Sequence, residues 1–419
     1  MNFFHYKNEE LWCEEIPIKD IAAALGTPFY LYSYRTINHH FKVFDESFAG
    51  IPHLVCFAAK ANSNLAILRM IAHLGGGVDI VSGGELYRAL QAGVDPRKIV
   101  YSGVGKKKSE IEYALASNIL LFNVESAQEL AVINACAGQL RKKAAIALRI
   151  NPDVDPRTHP HISTGLKENK FGLAVEEALE QYRLAKSFAH VEVTGISCHI
   201  GSQVTQMTPF LEAFGEIKKA LQLLQANGTV IKHIDLGGGL GIRYDQEEPP
   251  LPAEYARALL AANNDNDCTF IFEPGRVIVG NAGILVTEVL YTKVNNGKNF
   301  IIVDAGMNDL IRPSMYSSYH EIRPLRKKRG EEAVADVVGP ICESGDFLAK
   351  KRKLPLYQPG ELMAVMSAGA YGFTMSSNYN SRPRVPEVLV KDDRYFQIRK
   401  REAYSDLLRG EEVPEFLRK

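Results

Sequence analysis

The chain has 419 residues, 46% hydrophobic and 23% charged, an ordinary globular balance with room for more than one domain. Its 49 basic and 49 acidic side chains cancel, which leaves no electrostatic reason to expect nucleic acid or an anionic membrane as partner. The opening MNFFHYKNEELWCEE lacks the pattern of a secretory signal, and no apolar run reaches the roughly 18 residues of a membrane span, so a cytoplasmic location is expected.

Taken in chain order, the first strand-like run is Phe29–Ser33. From His53 onward, short apolar runs alternate with longer amphipathic stretches. The runs are His53–Ala59, Gly77–Ser82, Lys98–Ser102, Ile119–Asn123, Ala145–Ile150, Val191–His199, Ile231–Leu236 and Cys268–Phe272. Between them, segments such as Asn64–Leu74, Gly84–Ala92, Ala127–Cys136 and Met207–Asn227 carry helical spacing. Eight alternations fit a (β/α)8 barrel, typically about 250 residues long. A doubly wound sheet alternates in the same way, so the count alone does not separate the two. After about residue 283 the pattern changes to strands with few helices: Ile284–Val294, Asn299–Asp304, Val334–Val338, Glu361–Met366 and Glu387–Val390. The expected organisation is an α/β barrel over residues 34–282, plus a mostly β domain made of residues 1–33 and 283–419.

Three other features need a reading. The polar interval Asn151–Phe171, with three prolines and two histidines, is long enough to be an active-site lid; disorder is the alternative. The basic run Arg326–Arg329 is followed by two glutamates and reads as a solvated loop. The six cysteines are scattered, with no CxxC pair, which argues against a zinc site or a disulfide framework, and no metal is expected. Cys56, Cys136, Cys198 and Cys268 sit among apolar neighbours as core thiols, whereas Cys342 lies beside the polar string Glu343–Asp346.

The chemically capable residues fall at the C-terminal ends of the predicted strands, the face on which such barrels build their sites. Lys60 follows strand one, Asp79 lies on strand two, and His199 through Ser202 end strand six. Gly237, Gly238 and Gly239 follow strand seven, and Glu273-Pro274-Gly275-Arg276 follows strand eight. Three glycines expose backbone N–H groups to a phosphate, and the loops after strands seven and eight are the recurrent phosphate site of this fold. A phosphate-bearing cofactor lying across the mouth points its other end at Lys60, an amine able to form a Schiff base with an aldehyde. With His199 as a flat-ring contact and Glu273 to keep a pyridine nitrogen protonated, the set reads as a pyridoxal-phosphate site. Asp79 contacts the lysine or the ring, or is an ordinary strand-end carboxylate.

The motifs FAAKAN around Lys60, VDIVSGGEL from Val78, HIGSQ from His199, the glycine triplet and EPGR resemble those of the fold-type III pyridoxal-phosphate decarboxylases of the alanine-racemase-like superfamily, in the same order. The likeness extends over essentially the whole chain. It is nearest the branch acting on a diamino diacid through RPSMY from Arg312, CESGD from Cys342 and AGAYG from Ala368. The resemblance implies decarboxylation of meso-2,6-diaminopimelate to L-lysine, the last step of lysine biosynthesis. A sister decarboxylase of ornithine, arginine or a carrier-linked amino acid is the alternative. By the same resemblance, Tyr371 contacts cofactor and substrate, and Arg276, Arg312, Tyr316 and Glu343 bind the substrate. Cys342 protonates the carbon that loses CO₂, and Cys342 and Glu343 serve the other subunit of a homodimer. A planar guanidinium suits a distal carboxylate, which a plain diamine precursor lacks.

Overall fold

The computed structural model describes residues 2–418 except Arg157, Pro160, His161, Ser163, Lys167, Glu168 and Asn264, Asp265 and Asn266. Two compact units emerge, Ile37–Gly280 and the combination of Met1–Thr36 with Asn281–Lys419.

The first unit is a closed barrel of eight parallel strands. In chain order they are His53–Ala58, Gly77–Ile80, Ile99–Tyr101, Leu121–Val124, Ala144–Arg149, Val191–Ser197, His233–Asp235 and Thr269–Phe272. The eighth pairs with the first, Phe270 opposite His53. Strands such as Gly77–Ile80 and Leu121–Val124 are buried at every position, as a parallel sheet covered on both faces requires. Cys56, Val100, Leu121, Ala147 and Ile271 form a common core cluster. The helices after the second and fourth strands are started by reciprocal caps. Ser82 Oγ accepts from Glu85 N–H and Ser126 Oγ from Glu129 N–H, while each glutamate reaches back to a backbone N–H, of Val81 and of Glu125. These caps fix where each chain segment leaves the barrel mouth.

The second unit is mostly β. Its main sheet runs Phe347–Pro355, Glu332–Val338, Lys298–Val303, Gly283–Asn295, Phe29–Ser33, Glu387–Lys391 and Arg394–Arg399. Phe29–Ser33 is thus an interior strand, antiparallel to Gly283–Asn295 and parallel to Glu387–Lys391. Besides the strands Ile322–Pro324 and Phe347–Pro355, which also lay outside the expected runs, two elements escaped the sequence reading. One is an N-terminal antiparallel sheet of Phe4–Lys7, Glu10–Cys13 and Ile16–Pro17. Its first turn uses Asn8 and Glu9, both at positive φ, without the glycine that usually signals such a hairpin. The other is Arg394–Arg399, a mostly exposed edge strand whose polar residues carry no apolar alternation. Among the described residues no helix is long and apolar enough to cross a membrane.

Asp309 is fully buried in this unit, and burial pushes its carboxyl up to about 7 despite a hydrogen bond from the Gly306 N–H. Between its unfolded pKa near 4 and this value, the folded state holds one proton more than the unfolded state. Its contribution to stability is therefore complete below about pH 4 and is lost as pH rises through 7, by up to about 1.4 kcal/mol per unit. Denaturant titrations over this range should show a flatter pH dependence for Asp309→Asn than for the wild type; equal slopes would refute the assignment.

Candidate active site

At the C-terminal ends of the barrel strands a cavity of about 400 Å³ is lined by Lys60, Ser102, Asn123, Arg149, His199 and Glu273 among others. That volume lies in the usual range for small-molecule sites. Lys60 sits in a 3₁₀ turn, Ala59–Ala61, directly after the first strand. Its Nζ donates to Asp79 Oδ2 at 2.6 Å, the lysine one-third exposed and the aspartate wholly buried. Asp79 Oδ1 has no hydrogen-bond partner among the described residues. Of the two readings of Asp79, the contact with the lysine is the one present in the structure.

The glycine triplet is a close-packed cradle. A Cβ on Gly237 would lie 2.6 Å from His199 Nδ1, one on Gly238 2.2 Å from the Glu273 carbonyl oxygen, and one on Gly239 2.6 Å from the Gly201 carbonyl oxygen. Gly237 and Gly239 also lie at positive φ, where side chains are strained. The Gly238 N–H donates to His199 Nδ1 at 3.1 Å. Nδ1 is therefore the acceptor, and the ring's single proton sits on Nε2. Desolvation, with Arg149 and Lys60 adding, holds the imidazole well below its usual pKa, so it is neutral. The result is a flat, uncharged ring fixed in plane by the turn beside it.

Arg276, buried at the start of a short helix, donates to Tyr244 Oη at 2.6 Å and to Ser202 Oγ at 2.9 Å. The Pro274 carbonyl accepts from Ala58 N–H, closing the eighth strand's end on the first, and a Cβ on Gly275 would collide with that of Ala61 at 2.9 Å. The structure thus brings Lys60, Asp79, His199, Ser202, Gly237–Gly239 and Glu273–Arg276 together at one end of one barrel. Glu273 is buried and pushed well above the ordinary carboxylate range, first by desolvation and then by Asp235 and Asp79, with Lys60 opposing.

Several side chains of this site were missed. Arg149 and Glu125 form a buried ion pair at 2.7 Å, and Arg149 also donates to the His199 carbonyl at 3.3 Å. Asn123 donates to Asp235 at 2.7 Å and lies 3.3 Å from Glu273, while Ser102 Oγ donates to Glu273 at 3.1 Å. The available signal was a lone polar residue at the end of an otherwise apolar strand, as in AAIALR, LLFN and HID. Of the Asn151–Phe171 interval, Thr164 and Phe171 line the cavity and Thr164 Oγ1 donates to the His199 carbonyl. The lid reading falls partly on Arg157, Pro160, His161, Ser163, Lys167 and Glu168, which lie outside the described residues.

The remaining predicted residues lie in the β unit. Arg312 opens the helix Arg312–Tyr316, is buried, donates to Ser318 Oγ at 3.2 Å and lies 5.7 Å from the centre of the Tyr316 ring. Cys342 and Glu343 are exposed on a loop pinned by Asp346, which accepts from the N–H groups of Met307 and Ile341. Ser314 Oγ donates to the Gly345 carbonyl and ties this loop to the Arg312 helix. Tyr371 lies at positive φ and is half-buried.

An amine held at a cavity, a cradle with no room for a Cβ, a buried guanidinium and a protonatable carboxyl fit a phosphorylated pyridine aldehyde. This donor set on a parallel barrel defines the class, a pyridoxal-dependent decarboxylase. The pyridoxal-binding domain of the pyridoxal-dependent decarboxylases matches residues 34–280. Diaminopimelate decarboxylase of Vibrio cholerae is 52% identical over 99% of both chains, and that of Pseudomonas aeruginosa 50% identical over 99% of both. The crystal structure of the Helicobacter pylori diaminopimelate decarboxylase complexed with L-lysine superposes with a TM-score of 0.91 at 48% identity, covering 94% of this chain and 98% of that one. The chain belongs to the diaminopimelate decarboxylase family.

Proposed function

We propose that the chain decarboxylates meso-2,6-diaminopimelate to L-lysine and CO₂, completing lysine biosynthesis, with pyridoxal 5'-phosphate held on Lys60. The observation that carries this reading is the 2.6 Å Lys60–Asp79 pair in a cavity that also holds His199 and Glu273. Lys60 would hold the cofactor's aldehyde carbon, the close-packed Gly237–Gly239 cradle with Ser202 and Arg276 its phosphate, and Glu273 its ring nitrogen. The bound ring supplies a sink for the electron pair left when the carboxylate departs. His199 offers a neutral face to that ring and adds no competing charge.

Arg312 and Tyr316 take the substrate's distal carboxylate, Arg276 and Tyr371 contact the substrate beside the cofactor, and Glu343 takes the distal ammonium. Cys342 returns a proton to the carbon that has lost CO₂. Of the six cysteines it alone is exposed, and its backbone N–H donates to Asn380 Oδ1 at 2.8 Å, so the thiol is presented on an anchored loop. That presentation supports a homodimer in which Cys342 and Glu343 serve the partner subunit's site. A cytoplasmic location completes the reading.

Purified protein with pyridoxal phosphate and meso-diaminopimelate should release equal amounts of CO₂ and L-lysine. Turnover of ornithine, arginine or a carrier-linked acid without lysine formation would overturn the substrate. Arg312→Met should keep the cofactor's absorbance but lose about 2–5 kcal/mol of transition-state binding, roughly 30- to 5,000-fold in kcat/KM, as expected when one partner of a buried charge pair is truncated. An unchanged kcat/KM would remove Arg312 from the substrate site.

A further inference from the structure

We propose that Asp235 is a positioning residue that shares a single proton with Glu273 and keeps it on the Glu273 carboxyl before the cofactor arrives. The inference rests on the reading that Glu273 faces the cofactor's ring nitrogen.

The geometry begins with Asp235, the last residue of the seventh strand, almost completely buried. Its Oδ1 accepts from the Gly237 N–H at 2.9 Å and its Oδ2 from Asn123 Nδ2 at 2.7 Å. The Asn123 amide reaches on to Glu273 Oε1 at 3.3 Å and Ser102 Oγ at 3.0 Å. One amide nitrogen, Asn123 Nδ2, thus bridges the two buried carboxyls. Two carboxyls held side by side on one donor out of water disfavour double ionisation and favour sharing one proton.

A charge count leads to the same place. Facing the pair are Asp79 from the second strand and Lys60 beyond the first, with Cys56 and Cys198 on the first strand and after the sixth. Tyr255, on the helix Pro252–Ala262, also faces Asp235. Burial pushes the two thiols and the phenol upward, so they stay neutral. Three carboxyls therefore face one ammonium, and Lys60 is already committed to Asp79 at 2.6 Å. A second and a third buried anion side by side would lack compensation, and one proton remains on the pair.

The donors decide which oxygen carries it. Asp235 accepts a backbone N–H and a short amide bond, both favouring its ionised form. Among the described residues Glu273 accepts only from the Ser102 hydroxyl and the longer Asn123 contact. Glu273 is accordingly the acid and Asp235 the anion that holds its proton. Meeting a ring nitrogen, the Glu273 O–H donates. If the proton crosses, the pair passes from one negative charge to two and the ring gains one positive charge, so the total is conserved. Asp235 also fixes the Gly237 turn, so one side chain sets both the phosphate cradle and the acid opposite it.

The experiment uses the cofactor-free protein. The infrared carbonyl band of protonated carboxyls is followed against pH for wild type, Asp235→Asn and Glu273→Gln, as differences that cancel other acids pushed up in pKa, such as Glu85. Wild type minus Glu273→Gln should show one protonated carboxyl at neutral pH. In Asp235→Asn, which retains an acceptor for Gly237 N–H, the midpoint for losing that band should fall by about one unit or more. An unchanged midpoint, or no band difference for Glu273→Gln, overturns the proposal. Should Asp235→Asn fail to fold, carbon-13 spectra of labelled carboxyls in the wild type decide. Two well-separated steps at Asp235 and Glu273 support the shared proton, and independent titration at ordinary values refutes it. Neither measurement needs the cofactor, whereas the cofactor reading fails separately if wild-type protein binds no pyridoxal phosphate.

Discussion

A Lys60→Ala variant is expected to lose the visible absorbance of lysine-bound pyridoxal phosphate. Turnover should fall by more than the about 10²–10⁴-fold that a positioned acid–base group contributes. The side chain is both the attachment point and the counter-ion of Asp79, which is wholly buried and would be left as an uncompensated anion. The alanine variant therefore mixes two losses. Lys60→Arg separates them, because a guanidinium keeps the charge beside Asp79 but cannot make the covalent bond. The arginine variant should match wild type in thermal unfolding of the cofactor-free protein and match the alanine variant in lacking the absorbance. Retention of the band by either variant would show that another amine holds the cofactor.

The second large effect concerns stability. Arg149→Met should destabilise the barrel by about 3–5 kcal/mol, because Glu125 would stay buried with no cation to offset it. Glu125 also accepts from the Gly172 N–H at 2.7 Å, so the end of the Asn151–Phe171 segment is released as well. The double variant Arg149→Met/Glu125→Gln removes the stranded charge and should recover most of the loss in urea titrations at neutral pH. If the two single variants and the double variant are equally destabilised, the pair acts through packing and not through charge.

The barrel was legible because strands such as Gly77–Ile80, Ile99–Tyr101 and Leu121–Val124 are buried at every position and bounded by polar ends, a pattern that survives without any partner segment in view. The cofactor residues were legible for a related reason. Lys60, His199, Gly237–Gly239 and Glu273 each stand at a strand terminus, where a polar residue has no packing role to explain it. Arg149, Asn123 and Asp235 carry the same strand-end signal, and what hid them is that each one's partner lies on or after another strand. Glu125 and Arg149 are 24 residues apart and meet because the fourth and fifth strands pair side by side. The short N-terminal strands failed for a local reason, a hairpin turn made without glycine.

The interior place of Phe29–Ser33 bears on how the polypeptide is made. Its neighbours begin at Gly283 and Glu387, so a strand synthesised early stays without an edge partner until the barrel has been made, and without its second until the ribosome has delivered nearly everything else. The barrel residues emerge complete before the first of those partners, and domains generally fold as units in order of synthesis. An apolar five-residue segment with unsatisfied edges must wait beside a finished barrel, and such an edge is a hazard for pairing with other nascent chains. Shielding that edge during the wait, by added chaperone, is where expression of this protein should gain soluble yield.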